Sequence, residues 1–330
     1  MHMLIKYLLI ALQGFLAGMV FVFLFRRLSL RYRILIPQGI PLIGGIAMGL
    51  SFIFSSLVGF SLFGGLSQEA RGIIIASFIM LVFGVIDDWR ELSILAKFLV
   101  QIIATALLIF FGIRTQIIQI GNLANVIITF IWVLGITNAF NHLDVIDGLA
   151  AGTAMIVSLV FFTLSILNND LKTAILSLYL VVAAFSFLLY NFPPAKIYMG
   201  NSGSHFLGFI LAALALVISY APLEREIALL SPLLILGLPI FDTGFLIWAR
   251  IIKKRLPFKK SNDHLALRFL ALGYSKKKVL LVMLSLCLFF SLCGILLSQV
   301  SNLFGITIIT LVTLVSLALT KQMGKVAADV

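Results

Sequence analysis

Residues 4–25 read LIKYLLIALQGFLAGMVFVFLF, with Lys6 the only charge among them. A helix rises 1.5 Å per residue, so this stretch of about 22 residues can cross the roughly 30 Å hydrocarbon core of a bilayer. It is longer than the apolar region of a cleaved leader and lacks a small-residue cleavage pattern, so a retained first span is expected. Similar blocks recur, and spans are expected at roughly 4–25, 40–60, 72–86, 95–112, 124–140, 150–167, 173–190, 204–221, 228–249, 279–298 and 302–320. The apolar residues run in continuous blocks and not in a 3.6-residue stripe, and most blocks have no face suited to water.

Composition agrees. Apolar residues make up 62% of the chain and charged residues 11%, against about 25% charged in soluble domains. The expected fold is an all-α, polytopic integral membrane protein with about eleven transmembrane helices. No repeat or linker interrupts it, so residues 1–330 read as a single domain with one long polar loop at about 250–278. Cys287 and Cys293 share one span, match no metal or redox spacing, and read as packing residues. The net charge of +12 needs no nucleic-acid partner, because basic loops face anionic membrane lipid.

Eleven spans place the two ends on opposite sides. With the N-terminus outside, Arg26, Arg27, Arg31, Arg33, Arg90, Lys97, Lys196, the basic residues from Arg250 to Lys278, Lys321 and Lys325 fall inside, nineteen of the 24 Lys and Arg. Lys6, Arg71, Arg114, Lys172 and Arg225 fall outside. The positive-inside rule then predicts an outer N-terminus and a cytoplasmic C-terminus. Asp87, Asp88, Glu91, Asp144, Asp147, Asp242 and Asp263 gather at the inner face, whereas Glu69, Asp170, Glu224 and Glu226 lie outside. Carboxylates at helix ends in so apolar a chain need a partner, a cation or water. Their convergence on one face points to a cation-binding active site.

Four motifs carry the chemistry. The first, Phe83-Gly84-Val85-Ile86-Asp87-Asp88-Trp89-Arg90, sets two carboxylates side by side, as a base, a metal site or a solvated turn. Lys97 and Gln101 follow on one helical face, where the lysine either holds a phosphate or marks the interface. In the second, Asn138, Asn141, Asp144 and Asp147 recur every three residues before Gly148, so a helix-like turn would align them as oxygen ligands. His142 falls off that face and reads as structural. The third, from Phe192 to Ser204, ends in Gly200-Asn201-Ser202-Gly203-Ser204, a turn entering a helix whose N-terminal amides favour phosphate. The fourth is the 250–278 loop. Its Lys253, Lys254, Arg255, Lys259 and Lys260 suit anionic lipid, and Asn262-Asp263-His264 leads to Arg268, spaced from His264 so that both could meet a diphosphate. Asp242, in Pro239-Ile240-Phe241-Asp242-Thr243, is an ionisable residue near a span end and a functional candidate by default.

From Pro41-Leu42-Ile43-Gly44-Gly45 to the His264 loop, these motifs in this order resemble the polyprenyl-phosphate N-acetylhexosamine-1-phosphate transferases. The resemblance implies transfer of a sugar 1-phosphate, most closely GlcNAc-1-phosphate, from a UDP-sugar to undecaprenyl phosphate, with release of UMP. It implies Mg²⁺, with Mn²⁺ as a substitute, a bacterial cytoplasmic membrane location with the site on the inner face, initiation of a surface glycan, and a homodimer. By resemblance, Asp87 and Asp88 activate the lipid phosphate and support the metal, and Lys97 holds a phosphate. Asn138, Asn141, Asp144 and Asp147 line the nucleotide and metal site, Gly200 and Ser204 lie beside it, and His264 and Arg268 cover the diphosphate and sugar. The metal ligands implied are Asp88, Asp147 and position 201.

Three departures stand out. Asn201 occupies a position where the family usually has a metal-binding aspartate, so a weaker Mg²⁺ site or an impaired family member is an alternative. Only His264 remains of a motif that in the phospho-MurNAc-pentapeptide branch carries three histidines, and Ala266 and Leu267 stand at the other places. Val145 replaces a usual glycine. A transporter, the reading from another class, would put its carboxylates at mid-membrane in paired repeats, and neither is visible.

Overall fold

The computed structural model describes residues 2–63, 65–220, 225–254 and 263–326. They form α1 (His2–Tyr32), α2 (Gly44–Phe63), α3 (Gln68–Trp89), α4 (Ile94–Phe110), α5 (Gly121–Leu143), α6 (Leu149–Leu167), α7 (Leu171–Asn191), α8 (Gly200–Val217), α9 (Ser231–Ile235), α10 (Gly237–Ile252), α11 (Leu265–Ala271), α12 (Lys276–Gln299) and α13 (Asn302–Met323). No strand occurs among the described residues. Glu224, Arg255, Lys259, Lys260 and Asn262, singled out in the sequence, lie outside them.

Nine helices among the described residues have the length and hydropathy of a membrane span. The bent pair Glu226–Ile235 and Gly237–Ile252 has that length and hydropathy only when its two helices are taken together, and α4 is an apolar helix of 17 residues. The expected eleven are reached only by counting both. The segment expected as a span over 228–249 breaks at Leu236 with a bend of 75°. Pro232 and Pro239 flank the break, and neither has an N–H to continue a helical ladder.

Polarity inverts toward the outside of the bundle. α7 and α8 form its centre, and α8 packs against α3, α5 and α2. On α1 and α13, Leu4, Leu8, Phe23, Leu303, Phe304 and Leu314 are exposed. Apolar surface on this scale would aggregate in water and is satisfied by acyl chains. Buried hydroxyls inside the helices return to carbonyls one turn back, as Thr105 to Gln101, Thr137 to Val133 and Ser186 to Val182. The chain is a polytopic membrane protein, as composition predicted.

Two glycines set the approach of α3 to α8. A Cβ on Gly84 would lie 2.3 Å from the Ser202 Cα, so only glycine lets the end of α3 touch the start of α8. Gly200 has φ +73°, and a Cβ there would lie 2.5 Å from an Asp88 oxygen. The second motif departs from its expected helical face: α5 stops at Leu143, and Asp144 leaves it with φ −78° and ψ 58°. Asn138 and Asn141 are thus on a helix, and Asp144 and Asp147 are in the turn beyond it.

Candidate active site

The ends of α3, α5 and α7 and the starts of α4, α6, α8 and α12 bring most of the candidate residues to one end of the bundle. Asp87, 3% exposed, closes a pair with Lys97, Oδ2 to Nζ 2.7 Å, and its Oδ1 accepts the Leu92 N–H at 2.8 Å. The first carboxylate therefore fixes the α3–α4 turn and aims the lysine. Asp88 turns the other way. Its Oδ1 accepts the Asn201 N–H at 2.6 Å and its Oδ2 the Ser202 N–H at 3.0 Å.

That contact alters the reading of the third motif. The α8 N-terminus holds an anion, as its free amides and dipole favour, and the group seated there is the Asp88 carboxylate. Gly200 is the glycine that permits this approach. Ser204 donates to the Gly200 carbonyl at 3.2 Å, and Asn141 donates its amide to Asn201 Oδ1 at 3.0 Å and to Ser204 Oγ at 2.9 Å. Asn138 exchanges amide hydrogen bonds with buried Gln101, at 2.8 and 3.4 Å, tying α5 to α4.

Asp144 makes no hydrogen bond or ion pair among the described residues. Burial first, then the charges of Asp88 and Asp147, push its carboxyl up to about 7. Asp147 accepts the Ala195 N–H at 3.3 Å, with Lys276 Nζ 4.0 Å away and largely exposed. Asn191 was not singled out in the sequence. It organises this turn by accepting the Gly148 N–H at 2.8 Å and donating to the Ile197 carbonyl at 2.8 Å. An amide at the end of an apolar helix was the available signal.

His264 and Asp242 form a buried dyad, Nδ1 to Oδ2 2.9 Å, while Asp242 Oδ1 accepts the Leu265 N–H at 2.9 Å. The carboxylate holds the imidazole with Nδ1 toward itself, leaving Nε2 for another partner. The His142 ring lies 6.3 Å from that of His264. Arg268 takes a different direction from the one its spacing implied: Nη1 donates to the Met323 and Val326 carbonyls, each at 2.7 Å, and Nη2 to Asp263 at 3.1 Å. A further histidine was missed, His205 on α8, which is 1% exposed with neither ring nitrogen hydrogen-bonded. An ionisable group inside an apolar span was its signal.

No three acidic, histidine or cysteine side chains among the described residues converge tightly enough to hold a metal alone. A hard dication such as Mg²⁺ commonly takes one or two carboxylates and completes its shell with substrate phosphates and water. The charges of Asp88 and Asp147 act on Asp144, and a cation among the three would relieve that repulsion. A cavity of about 630 Å³ lies at the opposite end of the bundle, lined by Glu69, Arg114, Asp170, Lys172 and Arg225 among others. It contains none of the clustered groups and is not the seat of this chemistry.

Carboxylates, amides, a lysine and a buried histidine dyad thus gather at one end of a membrane bundle. Residues 70–219 match the family described as Glycosyl transferase family 4. The chain is 33% identical over 280 residues to the probable undecaprenyl-phosphate N-acetylglucosaminyl 1-phosphate transferase of Bacillus subtilis (strain 168), covering 82% of this chain and 76% of that one. It is 30% identical over 276 residues to the decaprenyl-phosphate N-acetylglucosaminephosphotransferase of Mycobacterium tuberculosis (strain CDC 1551 / Oshkosh), covering 73% and 68%. To the phospho-N-acetylmuramoyl-pentapeptide-transferase of Staphylococcus aureus (strain JH9) it is 27% identical, covering 78% and 84%. The chain belongs to the polyprenyl-phosphate N-acetylhexosamine-1-phosphate transferase family, and is therefore a transferase enzyme.

Proposed function

We propose that this protein transfers GlcNAc 1-phosphate from UDP-GlcNAc to undecaprenyl phosphate at the cytoplasmic face of a bacterial inner membrane, releasing UMP. The observation that carries the reading is Asp144, a half-buried carboxylate without a hydrogen-bond or ion-pair partner among the described residues, flanked by Asp88 and Asp147 in a family whose relatives act on polyprenyl phosphates. One diphosphate is broken and one is made. The protein's task is thus positioning and charge neutralisation more than covalent chemistry.

Asp144 is the group best placed to accept a proton from, or align, the attacking lipid phosphate. Lys97, aimed by Asp87, offers an ammonium to a phosphate oxygen, and His264, oriented by Asp242, offers Nε2. Asn141, Ser204 and Asn138 present polar groups to the nucleotide side. Mg²⁺ on Asp88, Asp144, Asp147 and the Asn201 oxygen would supply neutralisation of diphosphate charge. Ala266 is fully buried and Leu267 packs on the core. His264 thus stands alone where the muramoyl-pentapeptide branch has three histidines, favouring the smaller donor.

The test is UMP release by purified protein with undecaprenyl phosphate and Mg²⁺, offering UDP-GlcNAc, UDP-GalNAc and UDP-MurNAc-pentapeptide separately. Release with UDP-GlcNAc alone, abolished by EDTA, is expected. Release only with the pentapeptide donor reassigns the substrate, and no release from folded protein makes this an impaired family member. Asn201→Asp adds a charge to the donor set and keeps an acceptor for the Asn141 amide, so half-maximal activity should need severalfold less Mg²⁺. An unchanged Mg²⁺ requirement would remove Asn201 from the ligand set.

A further inference from the structure

α13 is the least embedded of the described spans, with only Gly305, Val312 and Met323 buried. Its last turn nevertheless docks firmly. Met323 is 3% exposed, and a Cβ on Gly324 would lie 2.6 Å from the Trp248 ring of α10. The Arg268 guanidinium, 2% exposed, holds this turn through the Met323 and Val326 carbonyls, each at 2.7 Å. The Met323 carbonyl, which also accepts the Val326 N–H at 3.0 Å, lies at the negative end of the helix dipole and so suits a cation.

The same guanidinium lies over the Phe245 ring at 4.9 Å and bonds Asp263 Oδ1 at 3.1 Å. Asp263 also takes Lys253 Nζ at 2.6 Å, and the next residue is His264, held by Asp242. One planar fork therefore ties the end of α13 to α10, α11 and the segment carrying the histidine. Lysine has neither the fork nor the stacking face to reproduce this.

We propose that the C-terminal turn of α13 is the anchor that sets His264 in place, with Arg268 as its positioning residue and not a substrate ligand. This rests on the reading of His264 as facing the reacting diphosphate. A misplacement of about 1 Å in such a group can lower turnover about 100-fold without weakening substrate binding.

The test uses the full chain with Arg268→Ala, Arg268→Lys and Gly324→Val, the last wedging the turn away from Trp248. Turnover and KM for UDP-GlcNAc are measured, and backbone hydrogen exchange is followed across residues 263–272. Each variant should lose at least about tenfold in kcat with a much smaller change in KM, and exchange at 265–271 should quicken. Arg268→Lys should be the mildest. Combining Arg268→Ala with Gly324→Val should add little, since both break one connection. In a His264→Ala background the same changes should have little further effect on turnover.

Unchanged exchange in Gly324→Val overturns the proposal, as does an equal loss of turnover with and without His264. A rise in KM at constant kcat would return Arg268 to substrate binding. If the unsubstituted protein releases no UMP from any donor, the transferase reading fails, and exchange alone decides the anchor.

Discussion

Asp144→Asn is expected to lower UMP release by about 10²–10⁴-fold, the range for loss of a positioned acid–base group, with the thermal midpoint unchanged or slightly raised. The side chain makes no hydrogen bond to lose, and burial already disfavours its charge. A carboxyl raised to about 7 is mostly neutral below that pH and ionised above it. Where the ionised form is needed, turnover should therefore rise with pH through about 7 at low Mg²⁺. A bound dication favours the carboxylate, so higher Mg²⁺ should move this limb to lower pH. The pH profile of kcat at two Mg²⁺ concentrations checks both points. Near-full activity in Asp144→Asn would remove this residue from the mechanism.

Asp87→Asn should differ, losing activity and stability together. A solvated turn was one reading of Asp87 from the sequence, but its carboxylate is buried and holds both Lys97 and the Leu92 N–H. Removing one partner of a fully buried pair costs about 3–5 kcal/mol. Lys97 is 24% exposed, and solvent can take up part of its charge, so a loss of about 1–2 kcal/mol is expected. Turnover should fall by about 100-fold as the lysine loses its aim. Asp87→Asn with Lys97→Met should recover most of the thermal midpoint but none of the activity. Retention of about a tenth or more of wild-type turnover by Asp87→Asn would count against the assignment.

The membrane fold was legible because a bilayer imposes long apolar blocks on any chain that crosses it. The carboxylate motifs were legible because charge in such surroundings is expensive. What escaped the sequence depends on partners far along the chain. Asp88 meets Asn201 and Ser202 more than a hundred residues later, which no local pattern reveals. Arg268 and His264 have the spacing of helical neighbours, but α11 begins only at Leu265. His264 sits before it in extended conformation, φ −63° and ψ 145°, so the shared face does not exist. The three-residue repeat from Asn138 to Asp147 was likewise read through a helix end at Leu143, and the break at Leu236 was passed over although Pro232, Gly237 and Pro239 stand on either side of it.

The capping of α8 by Asp88 bears on how the enzyme could be inhibited. A helix N-terminus is a natural seat for the phosphate or carboxylate of a nucleotide mimic. Here a tethered side chain already occupies it and returns within its own reach whenever displaced. An inhibitor aimed at those two amides would compete with an intramolecular rival at high effective concentration, not with water. Compounds that leave Asp88 seated and engage Asp144 and the free Nε2 of His264 face no such opponent.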